Sequence, residues 1–276
     1  MMVEAVHFTG DEPPGRIARK LLRVNLSDLA AKGAKPCGYL LAMAIPASTG
    51  KQWLQEFADG LRRDQEGFGC ALWGGDSVST SGPKVFSLTL IGERKEGAGV
   101  HRGGAKAGDK LYVTGTIGDA ALGLKILRGE IAGDSSLVAR LELPTPRMAF
   151  GTGLPDLAHA AIDISDGLLA DAGHLARESH VRIDIQASEV PLSPAAERAI
   201  AGNSELLLSA LTGGDDYELL VTVPEKNVVA LTEFAEETAT PLTAIGDVRD
   251  GSGVCLLNDQ GRSMDYKRAG FEHFQE

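Results

Sequence analysis

Residues 97–110 read GAGVHRGGAKAGDK, fourteen positions with five glycines and no hydrophobic periodicity. A stretch this rich in glycine has neither the side chains nor the backbone restriction to hold a regular element. It therefore divides the chain into two parts, each of which must bury its own apolar segments. We read residues 1–105 and 106–276 as two domains, which a length of 276 residues allows at about 100–200 residues each.

Upstream of the divide, Ile17, Leu21, Leu22, Val24, Leu26 and Leu29 recur at helical spacing over residues 15–31, and Gly33 and Pro36 supply a stop. Trp53, Phe57 and Leu61 predict a second helix over 51–66, ended by Gly67. Strands are expected at 70–73 and 85–91, the latter because Phe86, Leu88 and Leu90 alternate with smaller or polar residues. Downstream, the pattern predicts strands at 111–114, 160–164, 182–185, 217–223, 244–248 and 254–257, with helices at 120–127, 168–178 and 226–237. Both parts thus read as α/β or α+β.

Charge narrows the function. Twenty-seven Lys and Arg against 38 Asp and Glu leave a net charge of −11, which disfavours broad nucleic-acid or anionic-membrane binding. An anionic ligand then calls for metal ions. The longest apolar run, residues 39–47, is about half of a bilayer span and contains Pro46. The start, MMVEAVHF, lacks the basic-then-apolar pattern of a signal peptide, so a cytoplasmic location is the default expectation. Cys37, Cys70 and Cys255 are odd in number and scattered, and read as reduced, packed thiols.

Neither GxxxxGK[ST] nor a complete GxGxxG occurs, so phosphate would be held in another way. What stands out is aspartate placed repeatedly at glycines or element boundaries. Asn25 and Asp28 lie three residues apart on one helix face; spacing alone reads equally as a solvated stripe. Gly74-Gly75-Asp76 follows a short apolar strand and reads as a hairpin turn or a ligand approach. In AAIDISDGLLAD, a strand ending near Asp163 runs into a helix with Ser165 near its N-cap and Asp166 in its first turn. These are either ordinary caps, or carboxylates holding Mg²⁺ against a phosphate that faces the free N–H groups. TGGDDYELL repeats the device with Asp215, Asp216 and Glu218. Hard oxygen donors dominate, while His7, His101, His159, His174, His180 and His273 are isolated in sequence, so the implied metal is Mg²⁺ rather than zinc.

The strings VEAVHF, VNLSDLAAKGAKP, GGD, RGGAKAGD, LYVTGTIGDAALGL, IDISDGLLADAGHLA, GGDDYELL and GFEHF, in this order, resemble the thiamine-monophosphate kinase family. That family belongs to an ATP-binding superfamily with aminoimidazole ribonucleotide (AIR) synthetase and selenophosphate synthetase. The resemblance implies a two-domain AIR-synthetase-like fold, a homodimer formed through the N-terminal domains, and ATP between the domains. It also implies Mg²⁺-assisted transfer of the ATP γ-phosphoryl group to thiamine monophosphate. Carried over residue by residue, Asp28, Asp76, Asp163 and Asp166 match metal ligands. Gly75, Asp76, Arg102 and Ser165 match ATP contacts, with Arg102 stabilising charge and no residue acting as general base. His7, Asp215 and Phe271 match substrate contacts; the family usually has Glu where Asp215 stands, so Glu218 is an alternative acid. The family also carries about fifty residues upstream, with a GDDAA-type metal motif. Two further readings stay open at this point: another ATP-dependent synthetase of the superfamily, and a nucleotide-binding dimer impaired in catalysis.

Overall fold

The computed structural model describes residues 1–276 except 95, 96, 98, 267, 268 and 272–276, so His273 and most of the closing GFEHF string lie outside the described residues. Among the described residues the chain forms two sheets, one on each side of the glycine-rich stretch.

In the first half, β1 (Met2–Val3), α1 (Pro14–Ala31), β2 (Lys35–Pro46), α2 (Lys51–Phe68), β3 (Ala71–Thr80) and β4 (Val85–Glu93) follow in order. The sheet runs β1-β4-β2-β3, with β2 and β3 parallel and the other pairs antiparallel. Parallel neighbours need a crossover, and α2 supplies it. Along β2, Tyr39 and Leu41 are buried while Leu40 and Ala42 are exposed, the period of two that a half-buried sheet dictates. The inner face packs on the stripe of α1, where Leu21, Leu22 and Leu26 are fully buried, and on Phe57 of α2. On the outer face, Leu40 and Ile91 are exposed, and the edge strand β3 adds exposed Trp73 and Val78.

The second half contains β5 (Lys110–Thr114), α3 (Asp119–Leu127), α4 (Ser135–Glu142), α5 (Met148–Gly151), α6 (Leu154–Leu157), β6 (Ala160–Asp163), α7 (Leu168–Ser179) and β7 (Arg182–Gln186). Then come α8 (Pro194–Gly202), α9 (Leu206–Thr212), β8 (Leu219–Val223), α10 (Val228–Glu237), β9 (Leu242–Arg249) and β10 (Gly253–Leu257). Its sheet order is β10-β7-β9-β5-β8-β6, parallel between β10 and β7 and antiparallel elsewhere. Helix α1 belongs to both halves. Its last residues, Ala30 and Ala31, are buried in a cluster with Val100, Phe150, Leu219 and Val221, so the C-terminal end of α1 is part of the second core.

Several expectations need correction. Helix α2 runs through Gly67 and ends at Gly69, whose φ of 70° is the left-handed cap; Gly67 inside a helix costs only about 1 kcal/mol. Gly74, Gly75 and Asp76 are neither a hairpin turn nor a strand end: β3 continues through them to Thr80, with Trp73 as the extra residue of a bulge. Gly75 is needed there because a Cβ would come within 1.8 Å of the Leu41 carbonyl oxygen. Strand β2 escaped prediction because Pro36 reads as a helix stop; it sits at the register shift between Pro36 and Gly38. Helices α4, α5, α6, α8 and α9 were also unread; all are nine residues or shorter.

Phe86 is fully buried between Phe57, with ring centroids 4.9 Å apart, and Phe8 at 5.8 Å. Phe86→Ala is expected to lower the unfolding free energy by about 3–5 kcal/mol in urea denaturation; a loss below about 1 kcal/mol would contradict this packing.

Candidate active site at the junction of the two halves

Where the end of α1 meets the second half, a cleft of about 690 Å³ opens. His7, Asp28, Asp163, Ser165, Asp166, Asp215 and Phe271 all line it, from five separate segments of sequence. A second cavity of about 520 Å³ is lined by Arg16, Arg140 and Arg198, but these pair with Glu142, Glu218 and Asp134 respectively, which leaves no excess charge to bind an anion.

Asp163 ends β6 with 4% exposure, and Asp28 approaches it from α1. Burial, with the Asp28 charge second, pushes the Asp163 carboxyl up to about 7, against the pull of a hydrogen bond from Ser27 and of Arg102. Asp28 stays open to the solvent of the cleft. Its carboxyl is nonetheless raised by partial burial, opposed by Arg102 and Lys32. Lys32 in turn is lowered, first by burial and then by Arg102. Two acids and two bases thus share one corner, with Asp163 buried in it and Asp28 and Arg102 on its exposed side. Two carboxylates held against each other in low dielectric are the arrangement a divalent cation relieves. The donors of this pair are both hard oxygen, which suits Mg²⁺.

Beside them two loops lie back to back. The Asp215 N–H donates to the Ser165 carbonyl at 2.9 Å, and the Tyr217 N–H to the Ile164 carbonyl at 2.8 Å. Gly214 permits this approach, since a Cβ there would lie 2.3 Å from the Ser165 oxygen. The C-terminal segment crosses the same loop, with the Phe271 N–H donating to the Asp166 carbonyl at 2.9 Å. One expectation fails here. The N–H groups of Ser165, Asp166 and Gly167 do not stand open to a ligand: all three donate to Asp171 Oδ2, at 3.0, 3.0 and 3.2 Å. Helix α7 begins only at Leu168, so Ser165 and Asp166 belong to the loop and not to the first turn.

Asp215 and Asp216 point to different places. Asp215 accepts from Lys20 Nζ at 2.9 Å inside the cleft. Asp216 is buried and takes the N–H groups of Gly118 and Ala120, at 2.8 and 3.3 Å, at the start of α3. Glu218, the alternative acid, is withdrawn from the cleft. It is fully buried and absent from the cleft wall, held by Arg147 through two bonds of 2.6 Å, by Arg140 at 2.8 Å and by Thr114 at 2.7 Å. Arg102 is placed beside Asp28, Asp163 and Lys32, as their mutual electrostatic effects show. Gly75 and Asp76 are not brought into the cleft; they lie on exposed β3, where the described bond of Asp76 is to its neighbour's N–H at 2.8 Å.

Three participants were missed. Lys32 is four residues after Asp28, the spacing at which helical charges meet. Lys20 is a charge inside the apolar stripe of α1, itself a signal. Asp171 follows Gly167 by four residues in the string that supplied Asp163 and Asp166.

The description "AIR synthase related protein, N-terminal domain" matches residues 1–94, and its C-terminal counterpart residues 106–256. A protein of Caulobacter vibrioides named thiamine-monophosphate kinase is 40% identical over 276 residues, covering 99% of this chain and 78% of the relative. The chain belongs to the thiamine-monophosphate kinase family. A crystal structure of thiamine-monophosphate kinase from Stenotrophomonas maltophilia K279a superposes with a TM-score of 0.87 at 38% identity, over 95% of this chain and 84% of the other. A solved complex of AaThiL with AMPPCP and TMP does so at 0.87 and 32% identity, over 99% and 85%. The mixed α/β architecture in two sheets is thus that of the thiamine-monophosphate kinase family. Among the described residues no helix is long and apolar enough to cross a membrane.

Burial holds both Asp163 and Asp171 at about 7, above the 3.8 of a free carboxyl, so the fold favours their protonated forms. In the absence of divalent cations their stabilising contribution is full below about pH 4 and is lost as the pH rises through about 7. The urea midpoint is expected to fall across that window, and Asp171→Asn to flatten the fall. A midpoint that rises with pH, or an identical profile in the variant, would contradict it.

Proposed function

We propose that this chain transfers the γ-phosphoryl group of ATP to thiamine monophosphate, giving thiamine diphosphate and ADP, with Asp28, Asp163 and Asp166 as ligands of Mg²⁺. The observation that carries the reading is the meeting of Asp28 from the first half with Asp163 from the second at a cleft whose other wall holds Asp166, Asp215 and Phe271.

The nucleophile is a phosphate oxygen of thiamine monophosphate, already largely ionised near neutrality because its second pKa is about 6. It forms a bond to the γ-phosphorus while the bond from that phosphorus to the β–γ bridging oxygen breaks, and ADP leaves with the electron pair. No proton has to be removed, so no general base is required. The difficulty is electrostatic, because two polyanions must touch. When bound, Mg²⁺ would neutralise phosphate charge and align the oxygens. Arg102 and Lys32, beside the same carboxylates, supply further positive charge where the nucleotide phosphates would lie. Ser165 contributes its hydroxyl from the loop before α7 as an ATP contact. His7, Asp215 and Phe271 line the part of the cleft assigned to the thiamine moiety. There Phe271, an exposed ring, would stack on the cationic acceptor, a contact of about 1–2 kcal/mol.

We further propose a homodimer formed on the outer face of the first sheet. Leu40, Trp73, Val78 and Ile91 are exposed there, an apolar surface that favours burial against a second copy. Gly75 and Asp76 lie on this strand and are proposed to meet the nucleotide where that copy closes over β3. A cytoplasmic location, where ATP is supplied, agrees with this reaction.

Activity is tested by following thiamine diphosphate and ADP together from ATP and thiamine monophosphate. Equal yields are expected, with Asp166→Asn losing most turnover at saturating Mg²⁺ while its thermal unfolding stays unchanged. ADP without thiamine diphosphate, or a fully active variant, would contradict the assignment. For the dimer, Trp73→Asp is expected to halve the mass measured by light scattering; a wild-type monomer, or an unchanged dimer in the variant, would refute the interface.

A further inference from the structure

Helix α1 carries a charge on its buried stripe. Ile17, Leu21 and Leu22 are core residues, and Lys20 among them is only 5% exposed. An ammonium taken out of water is costly unless its donors are matched. Lys20 Nζ donates to two acceptors that are far apart in sequence: Asp215 Oδ2 at 2.9 Å and the carbonyl oxygen of His7 at 3.1 Å. Each partner is held from its other side. Asp215 Oδ1 accepts from the Tyr217 hydroxyl at 3.2 Å, and the Asp215 N–H is tied to Ser165. His7 is anchored by Val3, whose N–H donates to His7 Nδ1 at 3.1 Å and whose carbonyl accepts the His7 N–H at 2.9 Å. Asp215 also sits at a φ of 73°, a conformation that a non-glycine residue keeps only where its surroundings impose it.

We propose that Lys20 is the positioning residue for the phosphate acceptor: one ammonium sets the spacing between the His7 segment of the first half and Asp215 of the second. This rests on the thiamine-monophosphate reading of the cleft. Lys20 acts through its two partners and not on the reacting atoms. Its charge also changes what Asp215 offers. Unpaired, Asp215 would attract any cation; paired with Lys20, it is an oriented hydrogen-bond acceptor with little net charge, which selects a ligand by the placement of its N–H or O–H groups. Among the described residues no hydrogen bond or ion pair joins Lys20 directly to Asp28, Asp163 or Arg102, so its direct contacts lie on the acceptor side.

The test is calorimetric titration of the full chain with thiamine monophosphate and, separately, with a non-hydrolysable ATP analogue and Mg²⁺. The proteins compared are wild type, Lys20→Met, Lys20→Arg, Asp215→Asn and the double variant Lys20→Met with Asp215→Asn. Lys20→Met is expected to weaken thiamine monophosphate about tenfold or more, the effect of losing one charge-assisted contact, and to leave the nucleotide within about twofold. Lys20→Arg should restore most of the loss, and the double variant should bind no more weakly than Asp215→Asn. Equal weakening of both ligands, or no weakening of thiamine monophosphate, overturns the proposal. If Lys20→Met does not fold, Lys20→Arg and the double variant, which leaves no unpaired buried charge, carry the same comparison. Wild-type protein that binds the nucleotide but not thiamine monophosphate would sink the reading of the cleft and this inference with it. Wild type that binds both while Lys20→Met is unaffected sinks this inference alone.

Discussion

The end of helix α1 is buried in a core that it does not share with the rest of the helix. Ala30 and Ala31 are small enough to pass against Phe150 and the strands of the second sheet, and Gly151 lets the backbones approach; a Cβ on that glycine would lie 2.4 Å from the Ala30 oxygen. This contact brings Asp28, two residues earlier, against Asp163 at the end of β6. To this meeting point each half contributes one acid. Together they make a corner where burial raises both carboxyls and the Asp28 charge raises Asp163 further, against the opposing charge of Arg102. A hydrophobic contact thus forces an electrostatic conflict of the kind that the proposed Mg²⁺ would relieve.

The other wall follows the same logic on a smaller scale. The loop between β6 and α7 would expose three N–H groups in a row, and Asp171 takes all of them on one oxygen. That internal carboxyl fixes the loop in the shape that turns Ser165 and Asp166 toward the cleft. The neighbouring loop can lie against it only through Gly214, and the C-terminal segment is laid across it by the Phe271 amide. Rigidity here comes from backbone hydrogen bonds between loops, which keep polar groups satisfied where no regular element covers them.

Much of this was legible in the chain. Periodicity located α1, α2, α3, α7 and α10 and most strands, because each carries a clear apolar face. The short helices around α8 and α9 were silent, being too brief to show a period. Strand β2 was hidden by Pro36, whose role as a helix stop and as a bulge residue looks the same in sequence. The aspartates of the cleft were found from their placement at element ends, whereas Glu218 was misread. Local pattern cannot tell an acid that faces a ligand from one enclosed by two arginines about seventy residues upstream. Asp76 shows the same limit in reverse, since a glycine pair before an aspartate looks like a turn until strand pairing draws it into β3.

The most direct measurement is electron paramagnetic resonance of bound Mn²⁺, used in place of Mg²⁺, on the wild type and on Asp28→Asn, Asp163→Asn and the double variant. A single shared site predicts that either substitution alone removes the same fraction of the bound signal and that combining them removes no more. Independent, additive losses, or a bound signal untouched by both, would show that the two carboxylates do not hold one cation between the halves.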